Sequence, residues 1–144
     1  MTNGSSPQDA LRTRPVRPAD IPAIKTIQEG SPEAAQWAPA AWMLTQCFVA
    51  EVDGLVRGFI AARRLVEGEG EILTIAVDPS ARRLGVGSAL IQAAREQVGP
   101  KLFLEVRASN QGAIAFYQRS GFRPVGSRDS YYSEPVEAAI VMES

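Results

Sequence analysis

The sequence predicts a mixed α/β fold built on a mostly antiparallel central sheet flanked by helices, and three patterns carry that expectation. Three strand-like runs, Cys47 to Val52, Leu55 to Arg64 and Glu71 to Val77, are separated by Asp53-Gly54 and by Glu67-Gly68-Glu69-Gly70, the turn chemistry of an antiparallel meander. From Val86 to Val98 the period lengthens: Val86, Leu90, Ile91, Ala94 and Val98 make one helical stripe, which Gly99-Pro100 stops. The chain then alternates, with a strand at Lys101 to Val106, a helix from Asn110 to Ser120 closed by Gly121, and two final strands, Phe122 to Arg128 and Val136 to Met142. A meander followed by βα order gives the class.

Ahead of the meander, Arg14 to Arg17 reads as a short strand. A helix follows, with Asp20 as N-cap, Pro22 in the first turn and Ile21, Ile24 and Ile27 at near-helical spacing, ended by Gly30-Ser31-Pro32. Glu33 to Gln46 is alanine-rich and broken by Pro39, which predicts a helical excursion carrying Trp37 and Trp42. Residues 1–13 are polar, with Asn3-Gly4-Ser5-Ser6-Pro7 and no apolar period, and read as a flexible leader to one domain over residues 14–144.

Composition narrows the function classes. The 144 residues carry a formal net charge of −1 and no lysine- or arginine-rich run, so no nucleic-acid footprint is expected. No apolar run approaches the roughly 20 residues of a membrane span. One cysteine, Cys47, cannot form an internal disulfide, and no export signal is visible, so a cytoplasmic protein is expected. Histidine is absent, which removes Ser-His-Asp and Cys-His catalysis and most zinc sites. Acid and base must come from Glu, Asp, Tyr, Lys or Cys, with no metal.

The most informative stretch is Arg82-Arg83-Leu84-Gly85-Val86-Gly87-Ser88, which enters the Val86 helix. It lacks the GxxxxGK[ST] of a P-loop, and a dinucleotide fingerprint would need a third glycine where Leu90 stands. A strand, Asp78-Pro79, a short basic loop, G-x-G and a helix together present backbone N–H groups and two arginines to an anion, which suits a pyrophosphate without a metal. Taken alone, G-x-G is as readily a plain tight turn.

With its context, Ile72-Leu73-Thr74-Ile75-Ala76-Val77-Asp78-Pro79 and then Arg82-x-x-Gly85-x-Gly87, the stretch resembles the acetyl-CoA-binding core of the GNAT N-acetyltransferases, [QR]-x-x-G-x-[GA]. The resemblance runs from about Arg14 to Glu143. Leu104-Glu105-Val106-Arg107-Ala108-Ser109-Asn110, Ala113-Ile114-Ala115-Phe116-Tyr117, Ser120-Gly121-Phe122 and Tyr131-Tyr132 are most similar to the bacterial ribosomal-protein alanine N-acetyltransferases. It implies the GNAT fold, acetyl-CoA as co-substrate and a protein N-terminal α-amine as acceptor, with the N-terminal alanine of a small-subunit ribosomal protein foremost. Other N-termini, a small-molecule amine, and a non-catalytic acyl-CoA sensor stand as alternatives.

Strand alternation sets Phe103, Glu105 and Arg107 on one face and Leu102, Leu104 and Val106 on the other. Glu105 is therefore a carboxylate in an apolar strand, paired with Arg107 or another arginine, or free to act as a base. The resemblance implies the base, and it implies Tyr117 as the acid that serves the coenzyme A thiolate. It further implies that Ile75, Ala76 and Val77 pair their backbone with the pantetheine arm, with the Val77 N–H near the thioester oxygen. Arg82, Arg83, Leu84, Gly85, Val86, Gly87 and Ser88 would then hold the pyrophosphate. Asn110 reads both as a helix N-cap and as a coenzyme contact.

For the acceptor, the resemblance implies the stretch from Trp37 to Trp42 and the final hairpin, with Arg128, Tyr131 and Tyr132. The chain departs from the family pattern there: Gln36-Trp37 stands where Pro-Trp is usual, and Glu137-Ala138-Ala139 where Glu-Asp-Ala is usual.

Overall fold

A computed structural model describes residues 11–31, 45–132 and 136–144. Seven strands form one sheet in the order β1-β2-β3-β4-β5-β7-β6. They are β1 Leu11–Pro15, β2 Gln46–Val52, β3 Leu55–Arg64, β4 Glu69–Val77, β5 Lys101–Arg107, β6 Arg123–Tyr132 and β7 Glu137–Glu143. Among the described residues three α-helices flank the sheet: α1 Ile21–Glu29, α2 Val86–Val98 and α3 Gln111–Arg119. The mixed, mostly antiparallel class and the meander turns are as the sequence predicts, and α2 has the predicted bounds. The excursion with Trp37 and Trp42, and the sequence before Leu11, lie outside the described residues.

The first strand differs from expectation. It begins at Leu11 and ends at Pro15, pairing antiparallel with β2 from Leu11↔Val52 to Pro15↔Phe48. LRTRP has little alternation of its own, so pairing with β2 rather than local pattern sets its bounds. Asp20 also differs: it makes no side-chain cap on α1. Its carboxylate takes the Arg17 N–H at 2.7 Å and a two-pronged contact from Arg14, 2.8 Å at each oxygen, while Arg14 Nε reaches Glu51 at 2.6 Å. Asp20 is buried, and the Arg14 guanidinium holds its carboxyl below the ordinary range. The ion pair ties the α1 entry to the β1–β2 edge.

Two apolar clusters sandwich the sheet. The larger joins Leu90, Ile91, Ala94 and Val98 of α2 to Ile60, Ile72, Leu102, Leu104 and Met142; the smaller joins Ile24 and Ile27 of α1 to Val49, Phe59, Ala61 and Ala76. Burial on β5 alternates as predicted, with Leu102, Leu104 and Val106 inward to the α2 side.

The placement of the site follows from β4. It pairs with β3 along its length, but the register slips between Ala61 and Ala62, so that Leu73 is an extra residue. Such a bulge bends a strand and increases its twist. On its other side β4 pairs parallel with β5 only at Glu69↔Lys101, Gly70↔Leu102 and Glu71↔Phe103. Beyond Glu71 the two strands part, and a crevice opens between their C-terminal ends, where open α/β sheets commonly bind ligands.

Candidate active site

The crevice continues into a cavity of about 1040 Å³. One wall is the β4 edge from Leu73 to Val77, which on the side away from β3 has no strand beside it among the described residues once β5 has turned away. An extended chain laid there would complete the sheet, the mode by which strand edges capture linear ligands. Ile75, Ala76 and Val77 all line the cavity.

At the end of this wall, Asp78 accepts from the Ser80 N–H at 2.9 Å and the Ser80 hydroxyl at 2.6 Å, fixing a short turn over Pro79–Ala81. The chain then alternates in handedness, with Arg83 at φ 70° and Gly85 at φ 81°. Left-handed residues in a turn swing successive N–H groups toward one side and form an anion-binding nest. Gly85 suits that conformation because it lacks a Cβ. The first bond back from α2 runs from the Ala89 N–H to Gly85 O at 3.0 Å. The N–H groups of Val86, Gly87 and Ser88 are thus the open donors of a helix start. Of the residues expected to hold a pyrophosphate, Arg82, Arg83, Gly85, Val86, Gly87 and Ser88 line the cavity; Leu84 is 53 % exposed and does not.

Gly87 also sets the width of the cavity. A Cβ on it would come within 2.7 Å of the Phe116 ring, so α3 lies against the α2 start only because that position is bare. Asn110 caps α3 through its side-chain oxygen and the Ala113 N–H, 3.1 Å, and still borders the cavity. Arg119, which sequence reasoning did not single out, borders it as well, with Arg82, Arg83 and Arg107. Phe116 belongs to a string that carries the family resemblance but takes no role at the site from it, because contacts between two helices leave no trace in the pattern of either.

Glu105 and Tyr117 also line the cavity. Tyr117 is buried against Phe116 and Phe122, with ring centroids 5.4 and 5.7 Å away, and burial holds its hydroxyl protonated well above the ordinary phenol range. Glu105 projects from β5 with a side chain 14 % exposed. One carboxylate oxygen, Oε1, lies 3.3 Å from Arg128, while Oε2 is buried with no partner among the described residues. Arg107 is not its ion-pair partner: it meets Glu137 at 3.0 Å, and Glu137 also accepts from the Ser109 N–H and hydroxyl, each at 3.0 Å.

The Arg107 guanidinium stacks 4.5 Å from the centre of the Tyr132 ring, which lines the cavity. Burial and the neighbouring Glu105 push the Tyr132 hydroxyl upward. Tyr131 packs edge-on against Tyr132 at 5.1 Å, carries Arg128 over its ring and is 49 % exposed. Of the expected acceptor residues, Tyr132 lines the cavity, Arg128 holds the candidate base and Tyr131 stands outside; Trp37 and Trp42 lie outside the described residues. Cys47 is buried on β2, and burial pushes its thiol up to about 12, so it offers no thiolate nucleophile.

Among the described residues no group of three or more Cys, Asp or Glu is placed to hold a metal ion, and no helix is long and apolar enough to cross a membrane. The cavity brings together a left-handed turn with Arg82 and Arg83, a strand edge, a phenol and a carboxylate, features that would fit a long anionic thioester.

Comparison with known proteins agrees. An N-alpha-acetyltransferase of Sulfurisphaera tokodaii is 37% identical over 111 residues, which span 65% of this chain and 66% of that protein. The ribosomal protein bS18 alanine N-acetyltransferase of Escherichia coli K12 is 33% identical over 134 residues, covering 85% of this chain and 89% of its own. The crystal structure of Ard1 from Thermoplasma volcanium superposes with a TM-score of 0.81 at 33% identity, over 94% of this chain and 97% of that one. The sequence profile of the Acetyltransferase (GNAT) family matches residues 18–122, from the turn before α1 to the residue before β6. The chain therefore belongs to the GNAT family and is an acetyl-CoA-dependent N-acyltransferase.

Proposed function

We propose that this enzyme acetylates the N-terminal α-amine of a protein, and that the N-terminal alanine of a small-subunit ribosomal protein is its acceptor. The observation that carries the reading is the placement of Glu105 and Tyr117 on two walls of one cavity, beside the open β4 edge. Acetyl-CoA supplies an activated acyl carbon held on sulfur. The chain's residues supply the rest. Glu105 takes a proton from the incoming ammonium at its open oxygen. Tyr117, held protonated by burial, carries the proton that a departing thiolate requires. Arg82, Arg83 and the helix-start amides bind the phosphates, and the N–H groups of β4 orient the acyl oxygen.

An α-amine suits this base. Its ordinary pKa is roughly 7.7–8.0, against about 10.4 for a lysine side chain, so a carboxylate meets an acceptor already half-neutral near pH 8. The relatives support the same class, since one is named for α-amine acetylation and another for the alanine of bS18. A small polyamine would need an acidic mouth. Glu137, which stands opposite Tyr132 in the β6–β7 register, is committed to Arg107 and Ser109.

The test is a panel of peptides differing in their first residue, with blocked-terminus lysine peptides and free polyamines, offered to the purified protein with acetyl-CoA. Turnover should be highest on an alanine-initiated peptide. Turnover confined to lysine or polyamines contradicts the reading.

A further inference from the structure

Three buried side-chain oxygens have no hydrogen-bond partner among the described residues: Thr74 Oγ1, Glu105 Oε2 and Ser144 Oγ. The first two belong to residues that line the same cavity. A buried hydroxyl without a partner costs about 1–3 kcal/mol, so two orphans in one cavity call for a ligand that satisfies both.

The β4 bulge explains how they come together. Ile72 packs in the cluster on the α2 side, and Ala76 in the cluster on the α1 side. Even-numbered residues of an unbroken strand would share one face. The extra residue at Leu73 therefore reverses the alternation, and Thr74 falls in with Ala76, on the α1 side. Glu105 lies opposite Leu104 and Val106, which pack on the α2 side, so it too faces α1. With β4 and β5 parted beyond Glu71, the two side chains stand on facing walls of the crevice.

We propose that Thr74 is a second contact for the acceptor nitrogen, holding the amine while Glu105 removes its proton. This rests on the reading of the cavity as an amine acetylation site. An ammonium has three N–H donors. One goes to Glu105 Oε2 and is transferred there, the nitrogen lone pair so released faces the acyl carbon, and a second N–H stays on Thr74 Oγ1. Without that second contact the neutral amine is free to rotate its lone pair away, and orientation at the reacting atom is where much of the rate is gained. A threonine also suits an α-amine, which carries its peptide directly on Cα and brings no long flexible stem to guide it.

The experiment compares wild type with Thr74→Val, which keeps the shape and removes the hydroxyl, and with Thr74→Ser, which keeps the hydroxyl. Expected is a loss of roughly 10-fold or more in kcat/KM for the amine substrate in Thr74→Val, an unchanged Kd for acetyl-CoA, and recovery to near wild-type turnover in Thr74→Ser. The melting temperature of Thr74→Val should be equal to or above that of wild type, because an unsatisfied hydroxyl has been removed. Wild-type kcat/KM in Thr74→Val overturns the proposal. So does a lowered melting temperature with no kinetic loss beyond that of Thr74→Ser, which assigns the hydroxyl to the fold. Whichever amine the wild type acetylates serves as substrate, so the acceptor's identity is decided separately. A wild type that acetylates no amine removes both readings.

Discussion

Glu105 is held on one oxygen and open on the other, and that asymmetry suits a proton acceptor. Arg128 fixes the carboxylate from the solvent side, where the pair is 58 % exposed at the arginine and correspondingly weak. The open oxygen faces inward. Glu105→Gln keeps the shape and removes the base, and should lower kcat/KM by about 10²- to 10⁴-fold with acetyl-CoA affinity unchanged. Tyr117→Phe should cost a comparable factor in kcat. Because burial raises the Tyr117 hydroxyl above its ordinary value, it keeps its proton through the usual phenol range, and wild-type kcat should show no descending limb up to about pH 10. Steady-state rates across that range, in wild type and both variants, check these outcomes. Alternation alone gave the facing of Glu105. Its partner was not legible, since Arg128 is 23 positions away on a strand that reaches β5 only through β7.

Among the elements, the turn into α2 was the most legible, because its chemistry is local: two arginines, a residue that needs a left-handed backbone and a helix start follow one another in the chain. A Cβ at Gly85 meets only open space, the nearest atom being Leu11 Cδ2 at 3.9 Å, so an added methyl acts through φ and not through collision. Gly85→Ala should cost about 1 kcal/mol or more in stability, read by denaturant unfolding, and should weaken acetyl-CoA binding as the turn relaxes. The start of β1 was least legible, because pairing with β2 decides it. Asp20 shows the same limit: the sequence offered an N-cap, and the fold used it as the anion that joins Arg14 to the α1 entry. Its carboxyl is held below the ordinary value, so its stabilisation is present above about pH 4 and is lost as pH falls through the lowered folded value. Asp20→Asn should lose about 3 kcal/mol at pH 7 by leaving Arg14 short of a partner, and its stability should fall less on acidification than that of wild type. Thermal midpoints from neutral to acidic pH read both effects.

For the whole molecule, one deformation organises the rest. The sheet runs from β1 to β6, but β4 and β5 stay paired only at one end, and that break beyond Glu71 supplies a strand edge, a cavity and two facing walls at once. Helices α2 and α3 begin at the C-terminal ends of the parted strands, so both helix starts open onto the same space. The family could be read from the motif residues that surround the break. The break itself could not, because neither the bulge at Leu73 nor the shortness of the parallel pairing leaves a mark in hydropathy or turn signals. The most direct measurement offers the enzyme acetyl-CoA and one peptide that carries both a free alanine α-amine and an internal lysine, then maps the modified nitrogen by fragment mass spectrometry. A single acetyl group on the α-nitrogen is the predicted result; acetylation of the lysine alone, or of neither nitrogen, contradicts the account.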